Sequence, residues 1–148
     1  GQAMKNYLSI LLIVILSNIA HSDEFLDLQM KLLARAGDME AQSVLGFMYD
    51  NGDGVPENDK TAVMWYTKAA EQGYAPVQSI LGVMYDNGEG VPENDIKAYV
   101  WYSISETNGN EEGKNNLKIL EPQMTNDQIV KAQKLATKCY DSNYEECD

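Results

Sequence analysis

The segment from Gln42 to Asp59 returns almost unchanged from Gln78 to Asp95, at an offset of about 36 residues. Glycine, tyrosine and proline recur at the same positions, and the match extends to Trp65 and Trp101. A period of this length is typical of stacked helical hairpins, because one hairpin buries its apolar face only against its neighbours. The chain is therefore predicted to be an all-α solenoid.

Each repeat is predicted to contain two helices separated by a loop with two glycines and a proline, Gly52 to Pro56 in the first copy and Gly88 to Pro92 in the second. Glycine supplies the unusual backbone dihedrals of such a loop, and proline stops the helix. Small residues are expected to face the large tryptophan and tyrosine side chains, so that adjacent helices approach closely. The expected helices are Met39 to Asn51, Asn58 or Asp59 to about Gln72, Ala75 to Asn87 and Asp95 to Thr107.

The sequence on either side of the repeats completes the predicted domain organisation. Asp23 to Ala36 has apolar residues at helical spacing, which predicts the single helix of an N-terminal half-repeat. After Gly109 the pattern decays, and a last helix with its N-cap at Thr125 or Asn126 is expected to close the C-terminal end. Its predicted apolar face consists of Ile129, Ala132, Leu135, Ala136 and Cys139. The predicted divisions are residues 1–3, a remnant of cloning; 4–22, a signal peptide; 23–38, the half-repeat; 39–74 and 75–110, the two repeats; and 111–148, the capping helices with a disulfide-bonded tail.

Residues 4–22 contain the three parts of a secretory signal peptide. Met4 to Asn6 is basic, Tyr7 to Ile19 is apolar, and Ala20 to Ser22 offers the small residues that a signal peptidase requires. The apolar run is shorter than the roughly 20 residues of a membrane span. We expect cleavage before Asp23 and a periplasmic or secreted protein. The alternative is a membrane-tethered structural component, which requires this segment to stay uncleaved.

The two cysteines, Cys139 and Cys147, are predicted to form one disulfide. An exported chain meets an oxidising compartment, and an even number of cysteines fits a closed pair. The bond would tie the C-terminal tail to the last helix. A metal site is the first alternative, but no further cysteine or histidine lies near the two cysteines in sequence. A catalytic thiol is the second, but the mature chain has no histidine to activate it.

Charge and residue types argue against several other functions. The net charge is -12 and the pI is near 4.3, so the surface repels phosphate backbones and nucleic acid is not an expected partner. The one histidine, His21, lies in the segment expected to be removed, so no Ser-His-Asp triad forms and a small enzyme is disfavoured.

The acidic loops Asp50 to Gly54 and Asp86 to Gly90 are candidates for binding calcium. A glycine at the second ligand position favours a helix-hairpin turn instead. No cofactor and no metal are expected.

The repeat resembles a known helical motif. Its pattern is Ala-x-x-x-Leu-Gly-x-x-Tyr-x-x-Gly-x-Gly-Val-Pro, followed by Ala-x-x-Trp-Tyr-x-x-Ala-Ala-x-x-Gly. It is similar to the Sel-1-like repeat, a relative of the tetratricopeptide repeat, and the similarity covers about Asp23 to Gly109. The resemblance implies antiparallel helix pairs in a right-handed superhelix with a concave groove, and a non-catalytic adaptor or scaffold role in protein–protein contact.

The same resemblance implies more specific roles. Exported bacterial members resemble signalling adaptors, envelope-assembly factors, host-interaction factors or immunity proteins that neutralise a toxic effector. A cysteine-rich branch is associated with binding or hydrolysing β-lactams. This chain departs from that branch because its repeats lack a cysteine pair.

Positions left over from the core stripe of the first helices form a candidate groove for a protein or peptide partner. At the repeat offset the apolar members align with one another, flanked by polar and acidic members. An apolar strip with an acidic rim would hold an amphipathic helix or an extended peptide. The alternative is that these side chains pack between neighbouring first helices. The predicted groove residues are Ser43, Phe47, Asp50, Ser79, Val83, Asp86, Asn115 and Ile119.

Overall fold

The computed structural model describes Met4 and residues 27–148. The predicted signal peptide beyond Met4, its cleavage site and the first residues of the half-repeat helix lie outside the described residues. Within residues 27–148 the chain is helical and contains no β-strand. The helices are α1, residues 27–35; α2, Met39–Asn51; α3, Asp59–Ala70; α4, Ala75–Asn87; α5, Asp95–Thr107; α6, Glu111–Leu120; and α7, Asn126–Asp141.

Three of the four repeat helices have the predicted bounds, and α3 ends earlier than expected, at Ala70. Residues 71–73 form a turn, so the predicted end near Gln72 is wrong by about one half-turn. The side-chain amide of Gln72, which lies beyond the end of the helix, donates a hydrogen bond to the carbonyl oxygen of Gly37 at 3.0 Å. This side chain therefore bridges the half-repeat and the first repeat.

Both repeats leave their first helix and enter their second helix by the same local geometry. Gly52 and Gly88 follow the first helices with left-handed backbone angles, φ 71° and 72°, which glycine adopts without a Cβ clash. Asn58 and Asn94 then cap the second helices, each accepting a backbone N–H three residues further on. The two loops are therefore turns of the same geometry, formed by the same repeated sequence.

A tyrosine ring of each second helix lies directly on a glycine of the first helix. A Cβ built on Gly46 would lie 2.4 Å from the ring of Tyr66, and one on Gly82 would lie 2.5 Å from the ring of Tyr102. Both tyrosines are about 1% exposed. Because any larger residue at the glycine would overlap the ring, this contact sets the spacing between the two helices of a repeat.

The tryptophans occupy equivalent places, as the repeat predicts. Trp65 belongs to a buried cluster that contains Leu45, and Trp101 belongs to the main buried cluster, which contains Leu81. Leu45 and Leu81 are themselves repeat equivalents. Both tryptophans are nearly buried, at 9% and 4% exposed. The aromatic residues of the motif are therefore core residues.

Buried glutamines join successive repeats, which sequence analysis did not anticipate. Gln42 and Gln78 each donate to a backbone carbonyl of the preceding second helix, α1 or α3, at 3.1 and 2.9 Å. Their side-chain oxygens accept from the amides of Gln72 at 2.8 Å and Asn108 at 2.9 Å. A buried amide is stabilising only when its polar atoms are paired, so these contacts fix how one repeat sits on the next.

The C-terminal helices continue the stack and then close it. α6 begins at Glu111, at the same offset from α4 as α4 has from α2, and packs against α4 and α5. α7 packs mainly against α5, and its Ala132 also joins the buried cluster that contains Leu117 and Leu120 of α6. Of its predicted apolar face, Ala132, Ala136 and Cys139 are buried, while the other two residues are partly buried. α7 thus covers the second repeat as a cap.

The expected disulfide joins Cys139 and Cys147 and returns the tail to the solenoid. The hydroxyl of Tyr144 accepts from Asn108 at 2.9 Å, and its ring approaches Gly73 in the turn between the repeats. Lys97 forms an ion pair with the last residue of the chain. The tail therefore contacts residues from the start to the end of α5.

Gly82→Ala is expected to destabilise the protein by about 1–3 kcal/mol, because the new methyl group overlaps the ring of Tyr102 in a packed interior. Asn115→Ala is the control, since it adds alanine at an exposed helical position. Urea unfolding measures both. Alanine alone favours a helix over glycine by about 1 kcal/mol. A Gly82→Ala protein as stable as wild type would contradict the spacing role of the glycine.

Cys147→Ser is expected to lower the free energy of unfolding by about 2–3 kcal/mol, because the open form gains chain entropy in the unfolded state. Reducing agent is expected to lower the stability of the wild-type protein by a similar amount and to leave Cys147→Ser unchanged. Urea unfolding with and without dithiothreitol checks this. Equal stability of the oxidised and reduced proteins would contradict a structural role for the bond.

Candidate functional site

The predicted groove residues lie on the three first helices, α2, α4 and α6. We call the exposed part of this layer the first-helix surface; its members are Ser43, Val44, Phe47, Asp50, Val83, Asp86, Asn115 and Ile119. Phe47 and Ile119 are 54% and 66% exposed. Val83, their equivalent on α4, is partly buried and packs against the core cluster beneath α6. Apolar surface is therefore open at both ends of the layer.

Ser79 does not belong to this surface, contrary to its predicted place on the groove wall. It is completely buried, and its Oγ accepts from the side-chain amide of Asn116 at 3.4 Å. The close packing of α6 on α4 explains the burial of Ser79, whereas Ser43, its equivalent on α2, is only partly buried. The alternative, packing between first helices, is correct at this one position.

Val44 is a member that sequence analysis missed. It is 41% exposed and lies one turn before Phe47 on α2, so the two side chains share a face. Helical spacing from Phe47 could have indicated it, because the core stripe of α2 already used Ala41 and Leu45. The exposed apolar area on α2 is therefore larger than predicted.

Two carboxylates border the surface at the C-terminal ends of α2 and α4. Asp50 accepts from the hydroxyl of Tyr66 at 3.4 Å, and Asp86 accepts from the hydroxyl of Tyr102 at 3.2 Å. Burial, followed by the adjacent carboxylate, raises the pKa of each tyrosine well above its ordinary value. The tyrosines that lie on the glycines therefore stay protonated and orient the two carboxylates.

Asp50 lies in an electrostatic environment of one sign. Partial burial is the main cause that raises its pKa, and the carboxylates of Asp59, Glu89 and Glu57 raise it further. The hydrogen bond from Tyr66 acts in the opposite direction without reversing the shift. Negative charge at this end of the surface is therefore locally uncompensated.

The charge asymmetry extends over α2 and α4 and the loops that follow them. Residues 39–58 contain four Asp or Glu and residues 75–94 contain three, and neither segment contains a Lys or Arg. Among the described residues, none of the four ion pairs involves these segments. Exposed lysines lie on other helices, among them Lys118 on α6 and Lys131, Lys134 and Lys138 on the outer face of α7.

The described residues contain one further cleft. A cleft of about 370 Å³ separates α5 from α7 and is lined by residues that include Tyr99, Gln133 and Tyr140. The hydroxyl of Tyr99 donates to Glu121 at 3.2 Å and accepts from Gln133 at 3.4 Å, so this hydroxyl is already paired within the protein.

Residues 27–148 contain no cluster of three or more His, Cys, Asp or Glu arranged to hold a metal ion. No helix in this part of the chain combines the length and apolarity required to cross a membrane.

Asp50→Asn is expected to raise stability at pH 7, since asparagine keeps an acceptor for Tyr66 and removes the repelled charge. A raised pKa means that the folded protein binds the proton more tightly than the unfolded chain. The gain should therefore shrink as the pH falls through the raised pKa of Asp50 and be lost below about 4, where the carboxyl group becomes protonated in the unfolded chain as well. Urea unfolding across pH measures it, with Asp141→Asn as an exposed control. A less stable Asp50→Asn protein at pH 7 would contradict the uncompensated charge.

Comparisons with known proteins agree with this architecture. The family model described as Sel1 repeat matches residues 40–74 and 75–110. A solved Sel1 repeat protein from Oxalobacter formigenes is 35% identical, with a TM-score of 0.59, over 60% of this chain and 67% of that one. A protective antigen present in uropathogenic Escherichia coli strains, which displays an SLR fold, is 34% identical with a TM-score of 0.73 over 78% of this chain.

This chain spans 25% of the length of the Escherichia coli antigen. No curated protein matches it in sequence. Proteins built from Sel1 repeats generally mediate protein–protein interaction and are typically non-catalytic scaffolds. The two matched repeats, the all-α solenoid and the similar solved structures together show that the chain belongs to the Sel1 repeat family.

Proposed function

We propose that this chain binds another protein or a peptide on its first-helix surface, as an adaptor, scaffold or inhibitor-type binder outside the cytoplasm. The observation that carries the proposal is the exposure of Phe47 and Ile119, which are 54% and 66% exposed at repeat-equivalent positions. Large apolar side chains in water are costly unless a partner covers them. The members of the proposed binding site are Ser43, Val44, Phe47, Asp50, Val83, Asp86, Asn115 and Ile119.

The internal packing supports this choice of surface. Two contacts recur in each repeat, glycine with tyrosine and glutamine with glutamine or asparagine, and both point from the first helices into the stack. Those contacts satisfy the core side of α2 and α4 without using the opposite side. A rigid layer whose free side carries apolar anchors is well suited to hold a partner with little reorganisation.

Two features support an extracytoplasmic location. The disulfide between Cys139 and Cys147 fits an oxidising compartment. The sequence of residues 4–22 has the composition of a secretory signal peptide. An accessible location is also compatible with the similarity to a protective antigen.

Phe47→Glu combined with Ile119→Glu is expected to reduce capture of the native partner at least tenfold, because two charges replace two apolar anchors (about 3 kcal/mol for two truncated anchors). The thermal midpoint should change little, since both side chains are exposed. Affinity purification from the native envelope, followed by mass spectrometry, measures capture.

Val130→Glu is the matched control, because Val130 is 49% exposed on α7, away from the first helices. It should leave capture unchanged. Equal loss in the control, or no loss in the double variant, would contradict the proposed surface. A large loss of stability in Phe47→Glu would assign Phe47 to the core.

A further inference from the structure

The α2 and α4 part of the first-helix surface combines apolar anchors with charge of one sign, whereas α6 carries Lys114 and Lys118 beside Glu111 and Glu112. Val44 and Phe47 are exposed on α2, and Ile119 is exposed on α6. The helices α2 and α4 and their loops carry seven acidic residues, four and three, and no basic residue. A partner must therefore bring both an apolar face and a charge that this environment favours.

We propose that the segment bound on the first-helix surface is a cationic amphipathic peptide segment, with Lys or Arg beside its apolar face. This inference rests on the proposed function. Apolar side chains of the partner would lie on Val44, Phe47 and Ile119. Its cations would lie toward Asp50 and Asp86, whose carboxylates each have acceptor sites beyond the one used by a tyrosine hydroxyl.

The charge distribution makes an anionic partner unfavourable. Each acidic group brought to this surface would add repulsion to carboxylates that already repel one another around Asp50. No Lys or Arg of residues 39–58 or 75–94 is present to compensate. On α6, Lys114 and Lys118 are matched in number by Glu111 and Glu112, and Lys114 pairs with Glu111. The lysines of α7 lie on a helix that packs mainly against α5, so the negative excess on α2 and α4 remains. Like charges at an interface also exclude wrong partners, which gives the surface selectivity.

The test uses fluorescence anisotropy of labelled synthetic helices of about 18 residues, which is five helical turns. One peptide alternates leucine and lysine with a helical period. The second replaces each lysine by glutamate. The third keeps the lysine–leucine composition but scrambles the order, so that it has the same charge without an apolar face.

The lysine–leucine helix is expected to bind the full chain at least about tenfold more tightly than either of the other peptides. Its affinity should fall between about 50 mM and about 300 mM salt, since the contributing charges are exposed. Equal binding of the scrambled peptide would overturn the proposal, because attraction to the net charge of the protein would then explain it. Tighter binding of the glutamate peptide would overturn it as well.

Charge-matched variants separate local from overall electrostatics. Glu57→Gln with Glu89→Gln removes two charges beside Asp50 and should weaken binding of the lysine–leucine helix about fivefold or more. Glu106→Gln with Glu145→Gln makes the same change of net charge at exposed positions elsewhere and should change affinity less than about twofold. Equal effects of the two pairs would overturn the assignment.

Apolar anchoring has its own charge-neutral test. Phe47→Ala should weaken binding of the lysine–leucine helix at least about fivefold, and Val130→Ala, on α7, should have no effect. Reversible dimerisation of the chain that Phe47→Ala abolishes would overturn the proposal in favour of a second copy as occupant. Sedimentation of the wild-type chain measures this.

The outcome is distinguishable from failure of the proposed function. If the native partner is lost from the double glutamate variant but the lysine–leucine helix is not preferred, the surface binds a partner of other chemistry. If capture of the native partner is insensitive to that variant, the surface itself is wrong.

Discussion

The close contact between a tyrosine ring and a glycine in each repeat sets the geometry on which the rest of this structure depends. Tyr66 on Gly46 and Tyr102 on Gly82 bring the two helices of a repeat so close that a single added methyl group would overlap a ring atom. The same tyrosines reach beyond the core with their hydroxyls, which hold Asp50 and Asp86. One side chain thus fixes both the spacing of the helices and the position of an acidic group at the edge of the first-helix surface.

Repetition of this contact gives the molecule two unequal sides. The core side of each first helix is occupied by the tyrosine, the tryptophan cluster and the buried glutamines. The second helices, α3 and α5, and the cap α7 complete that side. The remaining side of α2 and α6 does not face the core, and Phe47 and Ile119 stay exposed there. The proposed binding site lies on this side because covering exposed apolar side chains is energetically favourable.

Most of the fold could be predicted from the sequence because its information is local and duplicated. Asn58 and Asn94 mark where the second helices begin, and the loop glycines mark where the first helices end. Each of these signals occurs in both repeats, which strengthens the prediction. The buried glutamines escaped prediction because a polar side chain becomes a core residue only through partners that are distant in sequence, such as Asn108 for Gln78. The packing of α7 on α5 escaped for the same reason, since no repeat signal continues past Gly109.

The candidate surface could be predicted only in part. Helical spacing correctly identified Phe47 and Ile119 as exposed, but the burial of Ser79 depends on how closely α6 approaches α4, which no periodicity encodes. The central claim is that the first-helix surface, and not the outer face of α7, contacts another polypeptide. Placing a photoreactive amino acid at position 47 or at position 130 in the native host tests it most directly. The account predicts a crosslinked partner from position 47 and none from position 130; crosslinks from position 130 alone, or only within the chain from position 47, would contradict it.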